Sequence, residues 1–333
     1  MKTQALYGFA PDRLPNLGQT PAAQVAGLQS LGCNAIFGGY EDPTFVGAAH
    51  AAGMRVYAEF GCFVGQTWWA QLPVSRPLTA AGAALEPEGG YYGVNPAVPE
   101  VRAAQLAALE RLLLAYPLDG VWLDFIRWPC HWEVGAPHLP QTSFDPSTLT
   151  LFRRATGIAV PTDDPVGASR RLRGAHAAAW TAWRCAQITD WVAAAQAIVR
   201  RVRPGALLGL FGVPWRLADH DGAILNVIGQ DYRSLGQYVD VISPMVYHRM
   251  CGQPVGWIAA VTAEVQRLSG KPVWPIIQAV DEPTPLPAAE YGAALDAALD
   301  CPAASGVVVF TLAGAVAGAK LAVTQAKLGR SLA

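Results

Sequence analysis

Charge is scarce in this chain. Asp, Glu, Lys and Arg make up 15% of its 333 residues, against a usual ~25%. The 24 basic and 25 acidic side chains nearly cancel. At a pI of about 6.6 the chain has no electrostatic footprint for nucleic acid, which shows as a domain pI above about 9. Long hydrophobic runs are lacking too. The longest weakly polar stretch, 306–319, is interrupted by Thr311 and three glycines and falls short of the roughly 18 residues of a membrane span. Neither a nucleic-acid nor a membrane partner is expected. The opening MKTQALYGFA has no basic segment followed by an apolar one, so a signal peptide is not expected. That leaves the cytoplasm or the mature form of an exported protein. The six cysteines are scattered without a CxxC pair and read as reduced, packed thiols. What the chain has in quantity is apolar residues, 52%, enough for a large core.

Short β-branched and aromatic runs bounded by Gly, Pro, Asp or Asn occur at 5–9, 35–40, 56–60, 121–126, 207–211, 241–247, 273–278 and 307–312. Several are apolar on both faces, as strands of a covered parallel sheet are. Thr20-Pro21, Asp42-Pro43 and Asp145-Pro146 each set an N-cap before a first-turn proline. Alanine-rich amphipathic runs follow at 98–115, 176–202, 256–268, 287–299 and 315–328. This alternation predicts an α/β fold, a single (β/α)8 barrel over 1–333. A doubly wound sheet with a second domain is disfavoured, since no linker or composition shift divides the chain.

The third and fourth units are oversized, with long loops expected after strands 3 and 4. Extra chain after a strand builds the rim where barrel enzymes place their chemistry. Polar groups at strand ends are therefore the ones to weigh: Asp12 near the first, Glu59 on the third, Asp124 on the fourth, Tyr247 and His248 on the sixth, Gln278 and Asp281 on the seventh. None of Lys2, Lys271, Lys320 and Lys327 ends a strand, so a Schiff-base aldolase has no nucleophile. No His-x-His opens the barrel and no cysteine triplet could hold an iron–sulfur cluster. A zinc site among Cys62, Cys130, His131, His248 and Cys251 has no ligand spacing to support it. The turn Gly314-Ala-Val-Ala-Gly318 reads as helix–strand packing rather than a phosphate cradle. Neither cofactor nor metal is expected.

What remains is carboxylates among tryptophans and tyrosines. That combination suits sugars, whose flat ring faces stack on indoles while two carboxyls do the acid–base and nucleophilic work. Asp124 is the first candidate, with Arg127 near enough in sequence to hold its charge. Glu59, on the neighbouring strand, is the natural second carboxylate, since strands lie ~4.8 Å apart. Glu133 could reach back from the following loop as general acid, and Asp281 is a fourth candidate, though Asp-Glu-Pro also suits a helix-entry turn. Candidate sugar contacts are Arg127, Trp68, Trp69, Tyr92, Trp128, Trp215, Tyr247, His248 and Gln278.

Three segments carry a resemblance: Asp119-Gly-Val-Trp-Leu-Asp124-Phe-Ile-Arg127-Trp128-Pro129, Ser243-Pro-Met-Val-Tyr247-His248 and Trp274-Pro-Ile-Ile-Gln278-Ala279. On them the chain resembles the glycosyl-hydrolase-like TIM barrels of the α-amylase-type superfamily. The resemblance implies O-glycosyl hydrolysis with Asp124 as a principal catalytic carboxylate. Two departures matter. The amylases close the fifth strand with a Glu, where this chain reads Phe211-Gly-Val-Pro-Trp215; chitinase-type barrels place an acidic Glu where Ile126 stands. The general acid therefore falls to Glu59, Glu133 or Asp281, or catalysis has been lost. The expected function is a glycoside hydrolase acting on an oligo- or polysaccharide. The alternatives are a non-catalytic carbohydrate-binding barrel and, behind it, a sugar or phosphosugar isomerase.

Overall fold

The protein is described by a computed structural model covering residues 2–10 and 20–332. Eight parallel strands form one sheet: β1 Thr3–Phe9, β2 Ala35–Gly38, β3 Arg55–Gly61, β4 Gly120–Asp124, β5 Leu207–Gly212, β6 Val241–Pro244, β7 Ile276–Gln278 and β8 Gly306–Phe310. They are ordered β6-β5-β4-β3-β2-β1-β8-β7. Val273 bridges to Ile242 on one side and to Ala304 on the other, so the sheet comes round as a (β/α)8 TIM barrel. The predicted seventh strand, 273–278, is shorter than expected. Pro275 has no N–H to give the ladder, and it contributes only its carbonyl, which accepts from Val308 N at 3.0 Å.

The three Pro-led helices form where the caps stand. Thr20, Asp42 and Asp145 accept from Ala23 N, Thr44 N and Thr148 N at 3.2, 2.8 and 2.9 Å. Helices Pro99–Ala115, Ala177–Val202, Trp257–Ser269 and Ala288–Leu299 cover the barrel. The run 315–328 does not make one helix. It divides into Leu312–Ala317 and Leu321–Leu328, broken at Ala319, whose φ of +53° is left-handed, and at Lys320, which turns inward and is wholly buried. Gly314 packs against Val280, where a Cβ would come within 2.8 Å, so the glycine turn serves helix–strand packing. Among the described residues no helix is long and apolar enough to cross a membrane.

Strand alternation fills the lumen. Tyr57 and Trp122 face inward, with Trp122 stacked on Trp274 at 5.2 Å and edge-on to Phe37 at 5.0 Å. The indole fits because position 209 is glycine: a Cβ there would lie 2.0 Å from Trp122. Phe60 faces outward and stacks on Trp191 of the covering helix. The long loops after β3 and β4 carry short helices of their own, Gln66–Gln71 in the first and Pro146–Thr156 and Pro165–Arg173 in the second.

Candidate active site

Glu59 lies on the inward face of β3, in register with Trp122, and Gly61 is in register with Asp124 at the end of β4. The two carboxyls thus sit diagonally on adjacent strands at the C-terminal face. Tyr7 reaches Glu59 from β1 and donates its hydroxyl proton to Oε2. A β-bulge between Tyr7 and Phe9 turns the strand there, and Gly8 supplies the φ of +82° it needs.

Asp124 keeps 14% of its side chain exposed. Its Oδ1 accepts from Phe125 N at 2.6 Å and lies 3.8 Å from Arg127 Nη1. Phe125 itself holds a φ of +50°, an uncommon conformation for a bulky residue. Arg127 is buried beneath the site, its guanidinium 4.8 Å from the Phe125 ring and 5.4 Å from the Tyr91 ring.

Glu59 and Asp124 lie close enough that each shifts the other's ionisation. Burial and the neighbouring Asp124 charge push Glu59 from an ordinary 4.5 up to about 7, against the Tyr7 hydrogen bond, which favours ionisation. Burial also raises Asp124, but Arg127, the Phe125 amide and the bond from Glu59 all favour its charged form. Their interaction favours the proton on Glu59 and the charge on Asp124. A third carboxyl joins them. Burial raises Glu133, which lies within electrostatic reach of Arg127, Asp124, His131 and Glu282. Tyr247 lies close to all three carboxyls, which add to the effect of burial in raising its hydroxyl. Stacking on Trp132 at 5.9 Å and Phe310 at 4.8 Å holds its ring.

A cavity of 230 Å³ opens over Tyr7, Phe37, Tyr40, Glu59 and Gly61. A second of 470 Å³ shares Gly38 and Tyr40 with it and extends over Phe9, Glu41 and Asp42. Asp12 belongs to 11–19, outside the described residues. A larger cavity of 810 Å³ lies away from these carboxyls, between helix Ala177–Val202 and the segment 222–234.

The barrel is shared with glycoside hydrolases. The glycoside hydrolase domain of PgaB (BpsB) from Bordetella bronchiseptica superposes with a TM-score of 0.71 at 15% identity, covering 98% of this chain and 99% of that one. A β-galactosidase from the psychrophilic Marinomonas ef1 gives 0.67 at 13% identity over 93% of this chain and 54% of that one. The α-L-fucosidase isoenzyme 2 of Paenibacillus thiaminolyticus gives 0.58 at 12% over 99% and 49%. The chain spans about half the length of the β-galactosidase and the fucosidase. At these identities the likeness is one of fold. No protein-family model matches the sequence, and no curated protein matches it.

The remaining candidates separate by what their polar atoms already hold. Asp281 is turned away, bound to Lys320 Nζ at 2.7 Å and to Leu286 N at 2.8 Å, in the helix-entry geometry its Asp-Glu-Pro context suggests; the Lys320 hydrogen bond lowers its pKa. Trp128 is wholly enclosed, with Nε1 on Arg184 O at 3.0 Å and the Arg184 guanidinium 4.0 Å from its ring. It offers no face to a sugar. Trp69 is buried with Nε1 on Gly93 O and the edge of Tyr92 against it, while Trp68 and Tyr92 are half-buried. Gln278 is fully buried: its oxygen accepts from Met250 N, and its nitrogen donates to Val280 O and Glu282 O. It ties the loops after β6 and β7 together and has nothing left for a ligand. His248 is 1% exposed and paired with Glu290 at 3.0 Å, its basicity lowered by burial. Trp215 lines a rim cavity beside His220.

Sequence reasoning missed Tyr7 and Arg184. Tyr7 had a signal, since period two from Ala5 puts it on the inward face of β1. Arg184 had a weaker one, four residues after Trp180 on the apolar face of a helix.

Proposed function

We propose that the protein is a glycoside hydrolase that cleaves O-glycosidic bonds of an oligo- or polysaccharide. The observation that carries this is the pair of carboxyls on adjacent strands at the mouth of the barrel, where burial and the Asp124 charge raise Glu59 to about 7. Catalytic groups of such barrels sit at this face, and carboxyls with perturbed pKa values cluster at functional sites. The neighbours' barrels, and the amylase-type pattern of the fourth, sixth and seventh strands, support the same reading.

Asp124 is the nucleophile or base, kept anionic by Arg127 and the Phe125 amide. Glu59 is committed to the Tyr7 hydroxyl through Oε2, on the strand beside Asp124. Glu133 feels Asp124 without bonding to it and is raised by burial, which suits a carboxylic acid that protonates a leaving oxygen. In this division Glu133 delivers the proton, while Glu59 fixes the position and charge of Asp124. The Tyr7 hydroxyl already held on Glu59 Oε2 also favours a second reading, a barrel that binds carbohydrate without cleaving it.

Turnover of a panel of aryl glycosides and polysaccharides by the native protein, Asp124→Asn, Glu59→Gln and Glu133→Gln tests both. Loss in Asp124→Asn together with Glu133→Gln supports the division above. If activity survives in Glu133→Gln and fails in Glu59→Gln, the acid is Glu59. Saccharide binding with no turnover in the native protein replaces the hydrolase with the binder.

A further inference from the structure

The two carboxyls at the mouth are held by different means. Asp124 has Arg127 beside it, whereas Glu59 makes no ion pair among the described residues. Burial and the Asp124 charge both press Glu59 toward its neutral form, and the hydrogen bond from Tyr7 is what favours the charged one. Tyr40 at the end of β2, Cys62 after β3 and Tyr247 after β6 also lie within electrostatic reach of Glu59. Among the described residues none of the three donates a hydrogen bond to it; the Cys62 thiol is turned to Phe60 O at 3.5 Å. Tyr7 therefore stands where a cation would otherwise be needed.

The phenol is well placed for that task. Its ring lies at the top of the lumen, packed by rings from three other strands: Phe37 of β2 at 6.1 Å, Phe211 of β5 at 6.1 Å and Phe310 of β8 at 5.1 Å. Aromatic pairs at such separations have preferred geometries, so the direction of the hydroxyl is set by the barrel core. Tyr7 and Glu59 line the same cavity of 230 Å³, which puts their bond at the surface a ligand meets. Burial and the nearby carboxyls raise the Tyr7 phenol far above neutral pH, so the proton it donates to Glu59 Oε2 is always there to give.

We propose that Tyr7 is a positioning residue for the reaction: its hydroxyl fixes Glu59 beside Asp124 and sets the pH at which Glu59 gives up its proton. While Glu59 is neutral, Asp124 faces an uncharged group and its own charge is left for the substrate. Once Glu59 ionises, two like charges on adjacent strands oppose one another. Burial moves that change to higher pH and the donated hydrogen bond moves it back, so the Tyr7 hydroxyl decides where the alkaline limit of activity falls. The proposal rests on the glycosidase reading for the reaction and on the Tyr7–Glu59 bond for the means.

The test is a carbon-13 NMR titration of protein labelled at its glutamate carboxyls, with the Glu59 signal identified as the one missing from Glu59→Gln. Tyr7→Phe keeps the packed ring and removes only the hydroxyl, and a melting curve matching the native one shows that it is folded. Its Glu59 midpoint should move up by about one pH unit, the worth of a hydrogen bond to a charged group. Tyr40→Phe, which removes a neighbouring phenol that makes no such bond, should leave the midpoint where it is. An unmoved midpoint in Tyr7→Phe, or an equal movement in both variants, overturns the proposal. The alkaline limb of kcat against pH, measured on aryl glycosides, should move with the Tyr7→Phe midpoint and by the same amount. A limb that stays put while the midpoint moves overturns the role in the reaction. No native turnover, with the midpoint still moving, removes the hydrolase and with it the reaction that Tyr7 would serve, while the hold on Glu59 stands.

Discussion

Two aspartates stand five residues apart at opposite ends of β4, and their surroundings treat them in opposite ways. Asp119 enters the strand at the N-terminal face, where Arg55 Nη1, Val56 N and His50 Nε2 all reach it at 2.8 Å. Burial alone would raise it, but these partners outweigh burial and hold its pKa below the ordinary value. Asp124 leaves the strand at the other face with one close amide, an arginine at 3.8 Å and a second carboxyl on the adjacent strand. Burial wins there, and its pKa rises. One end is a clamp whose partners are satisfied; the other is held short of satisfaction, on the strand beside the cavity that Glu59 lines. In barrels the first arrangement belongs to stability and the second to chemistry.

The sharpest way to break that comparison is to neutralise each aspartate in turn. Asp124→Asn should cost roughly 10³-fold or more in turnover while leaving the melting temperature nearly unchanged, the loss expected of a group acting in the transition state. A melting shift as large as that of Asp119→Asn would sink the distinction. Next in size is the floor beneath both carboxyls. Gly209→Ala drives a Cβ into Trp122 and should destabilise by about 3 kcal/mol, read by urea denaturation. An unchanged midpoint would mean the indole can move aside. Asp119→Asn should cost about 1–3 kcal/mol, the range for stranding buried partners, with turnover intact once the protein is folded.

The smallest effect is the most diagnostic, because the two ends carry opposite pH signs. Asp119, lowered on folding, adds stability that is present above its ordinary 3.8 and lost as pH falls through its folded value. Glu59 is raised from 4.5 to about 7. Across that window the folded state holds a proton the unfolded state has released, so stability falls as pH rises through it. Glu59→Gln removes this penalty. Its melting temperature should gain on the native protein by a few degrees more at pH 8 than at pH 5. Parallel curves would show that Glu59 ionises normally.

The barrel was legible because its code is local. Each strand is a short apolar run, and each early helix opens on an N-cap followed by proline, so eight units could be counted without any long-range information. The misses have equally local causes: Pro275 interrupts the ladder of β7, and Lys320 breaks the last helix to reach Asp281. The site was legible only as residue types at strand ends. Period two and strand adjacency were enough to bring Glu59 near Asp124. Nothing in sequence spacing showed that Trp128 and Gln278 have their polar atoms consumed by Arg184 O and by the β6 and β7 loops. That depends on loops that fold back from far along the chain, as does the reach of Glu133.

The Arg184 side chain illustrates what such folding back provides. Its guanidinium donates to Thr142 O at 2.7 Å and to Val227 O at 2.8 Å, and lies over the rings of Trp128 and Trp180. Burial lowers its pKa to about 9, so it stays cationic at neutral pH, yet carbonyl dipoles and ring faces hold it in place of a carboxylate. Dissolved ions screen surface pairs such as Arg201–Glu110 at 2.8 Å, but they have no access to a charge sealed in this way. The rim of the barrel is therefore fastened by a salt-tolerant joint, and its loops should keep their arrangement in brines that loosen the protein's exterior.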